Sequence, residues 1–167
     1  MTHFFNAMTG IHHREMGVAG WGLYNPEVTF DIIADGVHVR PEMLSLACNV
    51  KSPDKASLIS DSVAPTGLGD GDFELWGEKI SVINGKTQNE RGSIAGSVCT
   101  MHDGVRMMRS LGFSDVDIAK MASTNPARLL GIDSDRGSIE VGKRADLVVI
   151  DPDGDIKMTM IGGKIVE

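Results

Sequence analysis

Apolar residues along this chain fall into short runs that each stop at polar residues, and those runs alternate with stretches of helical spacing. Thr29-Phe30-Asp31-Ile32-Ile33-Ala34 is an apolar-rich strand candidate halted by Asp35-Gly36, with His38 directly behind it. Pro41 is placed to open a helix, because its fixed φ and missing N–H suit a first turn, and Met43, Leu44, Leu46 and Ala47 supply a buried stripe. Ala56 to Ser60 reads as the next short strand, and Asp61 stands at its end. From His102 to Gly112, Val105, Met108 and Leu111 recur at three-residue steps, which predicts an amphipathic helix stopped by Gly112. Ser114 is placed as the N-cap of a second helix bearing Val116, Ile118, Met121 and Ala122, and a third, short helix opens at Asn125-Pro126 and closes at Gly131. Strands alternating with helices predict an α/β fold of parallel βα units.

Two segments break this rhythm. Phe73 to Lys86 alternates partially and contains Asn84-Gly85, so it predicts an inserted hairpin at about residues 72–87. After Ala145 come Leu147-Val148-Val149-Ile150, then Ile156 to Ile161, a Gly162-Gly163 turn and Lys164-Ile165-Val166, an antiparallel element expected outside the βα body.

Composition narrows the function. With 167 residues, 41% of them hydrophobic, the chain is long enough for one buried core. A net charge of −7 argues against a nucleic-acid backbone or an anionic membrane as partner. It leaves room for a phosphorylated small molecule, since one well-placed Arg binds phosphate in an acidic chain. Cys48 and Cys99, 51 positions apart and outside any CxxC pair, read as two buried reduced thiols. No apolar run reaches the roughly 18 residues of a membrane span and no basic-then-apolar leader opens the chain, so a cytoplasmic protein is expected.

Candidate chemistry gathers at strand ends. His3, His38 and Asp61, separated by 35 and 23 positions, each sit at or just after the end of an expected strand, where parallel βα barrels collect catalytic groups. For His3 this presupposes a strand that only two residues of the chain precede. A neutral imidazole ligates a divalent metal, the metal acidifies its water, and a carboxylate moves the proton. Taken singly, each residue has a plainer reading that outweighs this one: a terminal or capping histidine, a loop histidine, and an N-cap aspartate.

The words around them are more specific. Thr2-His3-Phe4-Phe5-Asn6-Ala7-Met8, then His12-His13-Arg14-Glu15-Met16-Gly17, resemble the THLFNAM and HHREPG blocks of N-acetylglucosamine-6-phosphate deacetylases. Ile33 to Val39 (IADGVHV), Ile59 to Gly67 (ISDSVAPTG) and Gly92 to Ser97 (GSIAGS) are similar to three further blocks in the same order. Ala122 to Arg128 and Gly137 to Leu147 are similar to the end of many amidohydrolases and select no substrate.

The resemblance implies the C-terminal part of a (β/α)8 barrel over residues 1–132, with strands of a small β-sandwich over 133–167. It implies hydrolysis of N-acetylglucosamine 6-phosphate to acetate and glucosamine 6-phosphate by a cytoplasmic homodimer. His3 would be a metal ligand, Asn6 and Ala7 would fix the sugar and its phosphate, and Arg14 would reach the 6-phosphate in the neighbouring protomer. His38 would contact the sugar phosphate, and Ile94, Ala95 and Gly96 would line the acetyl end. Asp61 would take a proton as metal-bound hydroxide attacks and return it to the departing amine. Zinc is the first choice of metal, with iron or cobalt as alternatives.

Ser62 and Met16 depart from the family where Ala and Pro are usual, at positions that supply neither proton nor ligand. A larger departure is length. The family's metal site also uses a glutamate and another histidine from earlier strands, so the ligand set in this chain is incomplete and the chain is expected to lack the N-terminal half. Two other readings stand beside this one: another amidohydrolase, dihydroorotase-like or isoaspartyl-dipeptidase-like, and a non-catalytic sugar-phosphate-binding or dimerisation fragment.

Overall fold

The computed structural model describes residues 1–75 and 77–166. Its centre is a parallel pair, β1 (Phe30–Ile33) and β2 (Ala56–Ile59), with Phe30 opposite Ala56 and Ile33 opposite Ile59. Phe30, Ile32, Ile33, Ala56, Ser57 and Leu58 are all buried. Burial of successive residues on both faces is what a parallel sheet covered by helices requires.

Neighbouring segments widen this pair at both sides. The Asp31 N–H donates to the Met1 carbonyl at 3.0 Å and the Phe4 N–H to the Asp31 carbonyl at 2.8 Å, so residues 1–4 run against β1. This pairing is what the chain holds of the strand that His3 presupposes. Beyond β2, Ser62 bridges Ser97 in parallel.

Helices cover the sheet for reasons visible in their residues. α1 (Gly17–Tyr24) is apolar on all sides and has no stripe for periodicity to find. It buries Ala19, Gly20 and Gly22, where a Cβ on Gly22 would sit 2.9 Å from the Phe4 ring. α2 (Pro41–Lys51) opens at Pro41 behind an extended Arg40, as the pre-proline restriction demands. Its buried residues are Leu44, Ala47, Cys48 and Lys51, a spacing of three, four and seven. Leu46 falls two positions off that stripe and is exposed, contrary to the expected face.

α3 (Met101–Ser110) starts with a capping box in which Thr100 and Asp103 satisfy each other's backbone N–H. α4 (Asp115–Ala119) is capped by Ser114, whose hydroxyl accepts from the Asp117 N–H at 3.1 Å. The helix then widens to a π-turn (Lys120–Thr124) before α5 (Asn125–Leu129). Pro126, which lacks an N–H, stands just past this turn, and the Asn125 N–H bonds the Lys120 carbonyl five residues back. Ile118 and Met121 enter the core, whereas Val116 is exposed.

The core joins Phe4, Phe30, Ile32, Leu44, Met108 and Met121, each 2% exposed or less. Each such side chain contributes about 1.5–3 kcal/mol by leaving water. Cys48 and Cys99 are free, buried thiols whose pKa burial pushes up to about 12.

Two antiparallel sheets flank this body. β3 (Gly71–Leu75), β4 (Glu78–Ile83) and β5 (Lys86–Asn89) form a meander, one strand more than the expected hairpin. Its Asn84-Gly85 turn has positive φ at both residues and is held by Asp70, whose carboxylate accepts from both N–H groups. Trp76, part of the expected hairpin, lies outside the described residues. β6 (Leu147–Ile150), β7 (Ile156–Ile161) and β8 (Lys164–Val166) make the second sheet, turning at Gly162-Gly163 as the sequence pattern predicts. The loop between β6 and β7 is tied to α3: His102 Nε2 donates to the Gly154 carbonyl at 2.6 Å and Arg109 to the Asp151 carbonyl at 2.9 Å. The whole is an α/β structure. No described helix is long and apolar enough to cross a membrane.

Candidate functional site

The loops that follow the central strands hold the candidate residues, and each loop is fastened from beneath. Phe4 is fully buried and stacks on Phe30 of β1 with centroids 4.6 Å apart, which pins the N-terminal loop to the sheet. His3, Phe5 and Ala7 then adopt left-handed φ values of 35, 75 and 57°. Such conformations cost non-glycine residues about 1–3 kcal/mol each and persist only where the surroundings enforce them. The Asp31 carboxylate is one such enforcer: its Oδ1 accepts from the His3 N–H at 2.6 Å and from the Thr2 hydroxyl at 3.0 Å.

His3 Nδ1 lies 3.2 Å from the Asn6 carbonyl, which can only accept, so in a neutral ring the proton sits on Nδ1 and the lone pair on Nε2. That is the tautomer of a histidine ready to ligate through Nε2. Asn6 is half-buried in the same turn, its amide 3.5 Å from the Phe4 carbonyl, and Ala7 is exposed. Arg14 is exposed farther along, on a turn closed by the His12–Glu15 bridge, with the rings of His12 and His13 4.2 Å apart.

The loop after β1 is built on one aspartate. Asp35 Oδ1 accepts from the Val37 and His38 N–H groups, both at 2.8 Å, and Oδ2 accepts from His38 Nδ1 at 2.6 Å. The two side chains are only 10% and 3% exposed. His38 is pushed to a higher pKa chiefly by its hydrogen bond to Asp35, against burial, with help from the Asp35 charge, the Gly96 carbonyl and Asp61. Burial works to raise Asp35, but the His38 ring and the His38 and Val37 N–H groups outweigh it and hold the carboxyl below its usual range. The other ring nitrogen, His38 Nε2, is buried without a hydrogen-bond partner.

The loop after β2 brings in the remaining residues. Asp61 is exposed at φ 49°, and its carbonyl accepts from the Ser97 N–H at 2.7 Å. The Val63 N–H returns a bond to the Ser97 carbonyl at 2.9 Å, and the Ser62 and Ser97 hydroxyls bond the Cys99 and Ser60 carbonyls. Gly96 has to be glycine here. Its φ is 71°, and a Cβ would meet the Asp61 carbonyl oxygen at 3.0 Å and Val63 Cγ1 at 2.5 Å. Thr87 of β5 supports the same segment, donating to the Gly96 carbonyl and accepting from the Ala95 N–H. Ala95 is half-buried and Ile94 exposed.

His38, Asp61 and Gly96 are therefore brought together. His3 and Asn6 form a separate turn held by Asp31, and Arg14 stands on its own loop. Clefts of about 450 and 470 Å³ lie beside these groups, one at Thr2, Asp31, Ser57 and Arg128, the other at Asp35, Cys99, Asp103 and Arg106. Neither is lined by His3, His38 or Asp61. No group of three or more His, Cys, Asp or Glu able to hold a metal occurs among the described residues, so this chain's side chains do not by themselves fit a metal. Asp31 and Asp35 escaped the sequence reading. The DGVH spacing, an acid three residues before a histidine, was the available signal for Asp35.

Comparison with known proteins gives the family. The model of the amidohydrolase family matches residues 30–166. The N-acetylglucosamine-6-phosphate deacetylase of Bacillus subtilis (strain 168) is 40% identical over 166 residues, covering 99% of this chain and 42% of that protein. A putative N-acetylgalactosamine-6-phosphate deacetylase of Escherichia coli (strain K12) is 37% identical and is covered to 98% on both sides. The crystal structure of N-acetylglucosamine-6-phosphate deacetylase from Thermotoga maritima superposes with a TM-score of 0.92 at 38% identity, over 99% of this chain and 46% of that one. The chain thus spans less than half the length of the Bacillus and Thermotoga proteins.

Proposed function

We propose, because this chain belongs to the amidohydrolase family, that it is the C-terminal part of an N-acetylglucosamine-6-phosphate deacetylase, releasing acetate and leaving glucosamine 6-phosphate. One observation carries this: a buried, unpartnered His38 Nε2 beside Asp61 and Gly96, on the blocks that the resemblance assigns to this chemistry. Asp61 takes a proton from the attacking water and delivers it to the amide nitrogen as the C–N bond breaks. Exposure suits that role, since the carboxylate has to reach both atoms. His38 donates from Nε2 to an oxygen of the bound sugar phosphate, and Ile94, Ala95 and Gly96 line the acetyl end. Asn6 and Ala7 fix the sugar and phosphate. Arg14, held out on its turn, reaches the 6-phosphate bound by the partner in a homodimer.

His3 would supply one imidazole nitrogen to a divalent ion, zinc first and iron or cobalt next, which would acidify the attacking water; a full set of donors is not present among the described residues. In this reading residues 1–132 belong to a (β/α)8 barrel, with the meander at about 72–87 as an insertion, and residues 133–167 to a small β-sandwich. The protein works in the cytoplasm.

A second reading concerns the sugar alone. The Escherichia coli relative that matches this chain end to end is named for the galactose epimer. Titrating the chain with N-acetylglucosamine 6-phosphate, N-acetylgalactosamine 6-phosphate and unphosphorylated N-acetylglucosamine, while following amide signals and acetate release, tests both. Binding of the glucose epimer with shifts at His38 and Gly96 is expected. Equal response to the unphosphorylated sugar, or none to either phosphate, sinks the proposal.

A further inference from the structure

Asp35 has no place in the mechanism above, yet its whole carboxylate is committed to the loop that holds His38. The three bonds reaching it come from within three residues: the Val37 and His38 N–H groups at 2.8 Å on Oδ1, and His38 Nδ1 at 2.6 Å on Oδ2. The backbone pair closes a turn, as many aspartates do. The third bond is of another kind, because it fixes a ring. A carboxylate only accepts, so Nδ1 carries a proton and the imidazole cannot flip without breaking a charge-assisted bond. With Nδ1 committed, the one polar atom of His38 left over is Nε2, which is buried without a partner. A nitrogen left that way is costly unless a ligand completes it.

We propose that Asp35 is a positioning residue: it locks the His38 ring so that Nε2 is held in one orientation, facing an oxygen of the bound sugar phosphate. The identity of the ligand rests on the function proposed above; the clamp does not. Groups facing the ring agree with a charged imidazole. Asp35 lies in its own loop, Asp61 approaches from the loop after β2, and the Gly96 carbonyl from the segment that pairs with that loop; all three raise the His38 pKa, against burial. Burial first, and then the Asp35 and Asp103 charges, raise the pKa of the nearby Cys99 thiol to about 12.

Asp35→Asn separates positioning from turn closure. An asparagine Oδ1 still accepts from the Val37 and His38 N–H groups, so the turn survives, but its NH2 replaces an acceptor with a donor opposite Nδ1. The full chain is labelled with ¹⁵N and its histidine rings are followed through a pH titration, with and without N-acetylglucosamine 6-phosphate. In the native chain the His38 midpoint is expected above the ordinary 6.5, with Nδ1 keeping its proton on both sides of it. In D35N the proton affinity should fall about tenfold or more, the remaining proton should move to Nε2, and sugar-phosphate affinity should drop about tenfold. A D35N ring that titrates like the native one, or unchanged sugar-phosphate affinity, overturns the proposal. Should D35N not fold, a native His38 midpoint at or below 6.5 overturns it and a higher one supports it. A native chain that ignores the sugar phosphate while showing the clamped ring defeats the deacetylase reading and leaves the clamp standing.

Discussion

The β1–β2 pair hides Phe30, Ile32, Ile33, Ala56 and Leu58 in the core, whereas β6 to β8 leave Val148, Val149, Ile161 and Ile165 exposed. Both are built from short aliphatic runs. The first is covered by helices, and among the described residues His3, Phe5, Ala7 and Asp61 hold positive φ in the segments attached to it or in the loops at its ends. No described non-glycine residue of the C-terminal sheet does. Local strain survives where packing over-determines it. The buried pair can therefore hold side chains in costly, chemically useful positions, and a half-covered sheet cannot.

The sharpest way to break this contrast is Asp61→Asn. As part of a complete enzyme it should lower acetate release about 10²–10⁴-fold. Because Asp61 is exposed, the denaturation midpoint should hardly move, and an active D61N removes the chemistry from the β2 end. Phe4→Ala comes next: truncating a fully buried ring stacked on Phe30 should cost about 3–5 kcal/mol in urea unfolding and release the His3 turn. Gly96→Ala should cost about 1–3 kcal/mol, because a methyl at positive φ must displace Val63 or the Asp61 carbonyl, and sugar-phosphate binding should weaken with it.

A pH series sharpens the electrostatic side. Asp35 has a lowered pKa, so its contribution is present above the ordinary carboxylate value and is lost as pH falls through the depressed one. His38 has a raised pKa, so its contribution is complete below its ordinary 6.5 and fades as pH rises through the raised one. Stability measured from about pH 2 to 9 should show both flanks in the native chain, the Asp35 flank below its ordinary 3.8, and lose the upper one in D35N. The smallest effect belongs to the other region. Ile165→Ala, 66% exposed on β8, should shift stability by no more than about 0.5 kcal/mol. A loss of several kcal/mol there would mean that the C-terminal sheet is as firmly packed as the central pair.

Much of this was legible along the chain. The bounds of β1, β2 and β6 to β8, Pro41 opening α2 and Ser114 capping α4 all follow from local rules that tertiary contacts did not override. α1 was not legible, since an apolar stretch without a stripe sends no periodic signal. The third strand of the meander was missed because Lys86-Thr87-Gln88-Asn89 is polar and gains its one buried side chain, Thr87, from the segment it supports. In the site, the words around His3, His38 and Asp61 singled those residues out, but the spacing of the letters contains nothing about Asp31 under His3.

The sequence by itself determined which proton donors and acceptors are on hand, through residue types whose protons and lone pairs do not depend on the fold, and the element boundaries, through proline, glycine and caps that act over a few residues. The tertiary structure alone decided which groups meet: the His38 ring against Asp61 and Gly96, Ser97 clasping the backbone on either side of Asp61, Phe4 pinning a strained loop. Those meetings join positions up to 58 residues apart, His38 to Gly96 being the longest. Only packing around β1 and β2 brings such residues together, because local backbone preference decays within a turn or two while burial acts on the whole chain at once.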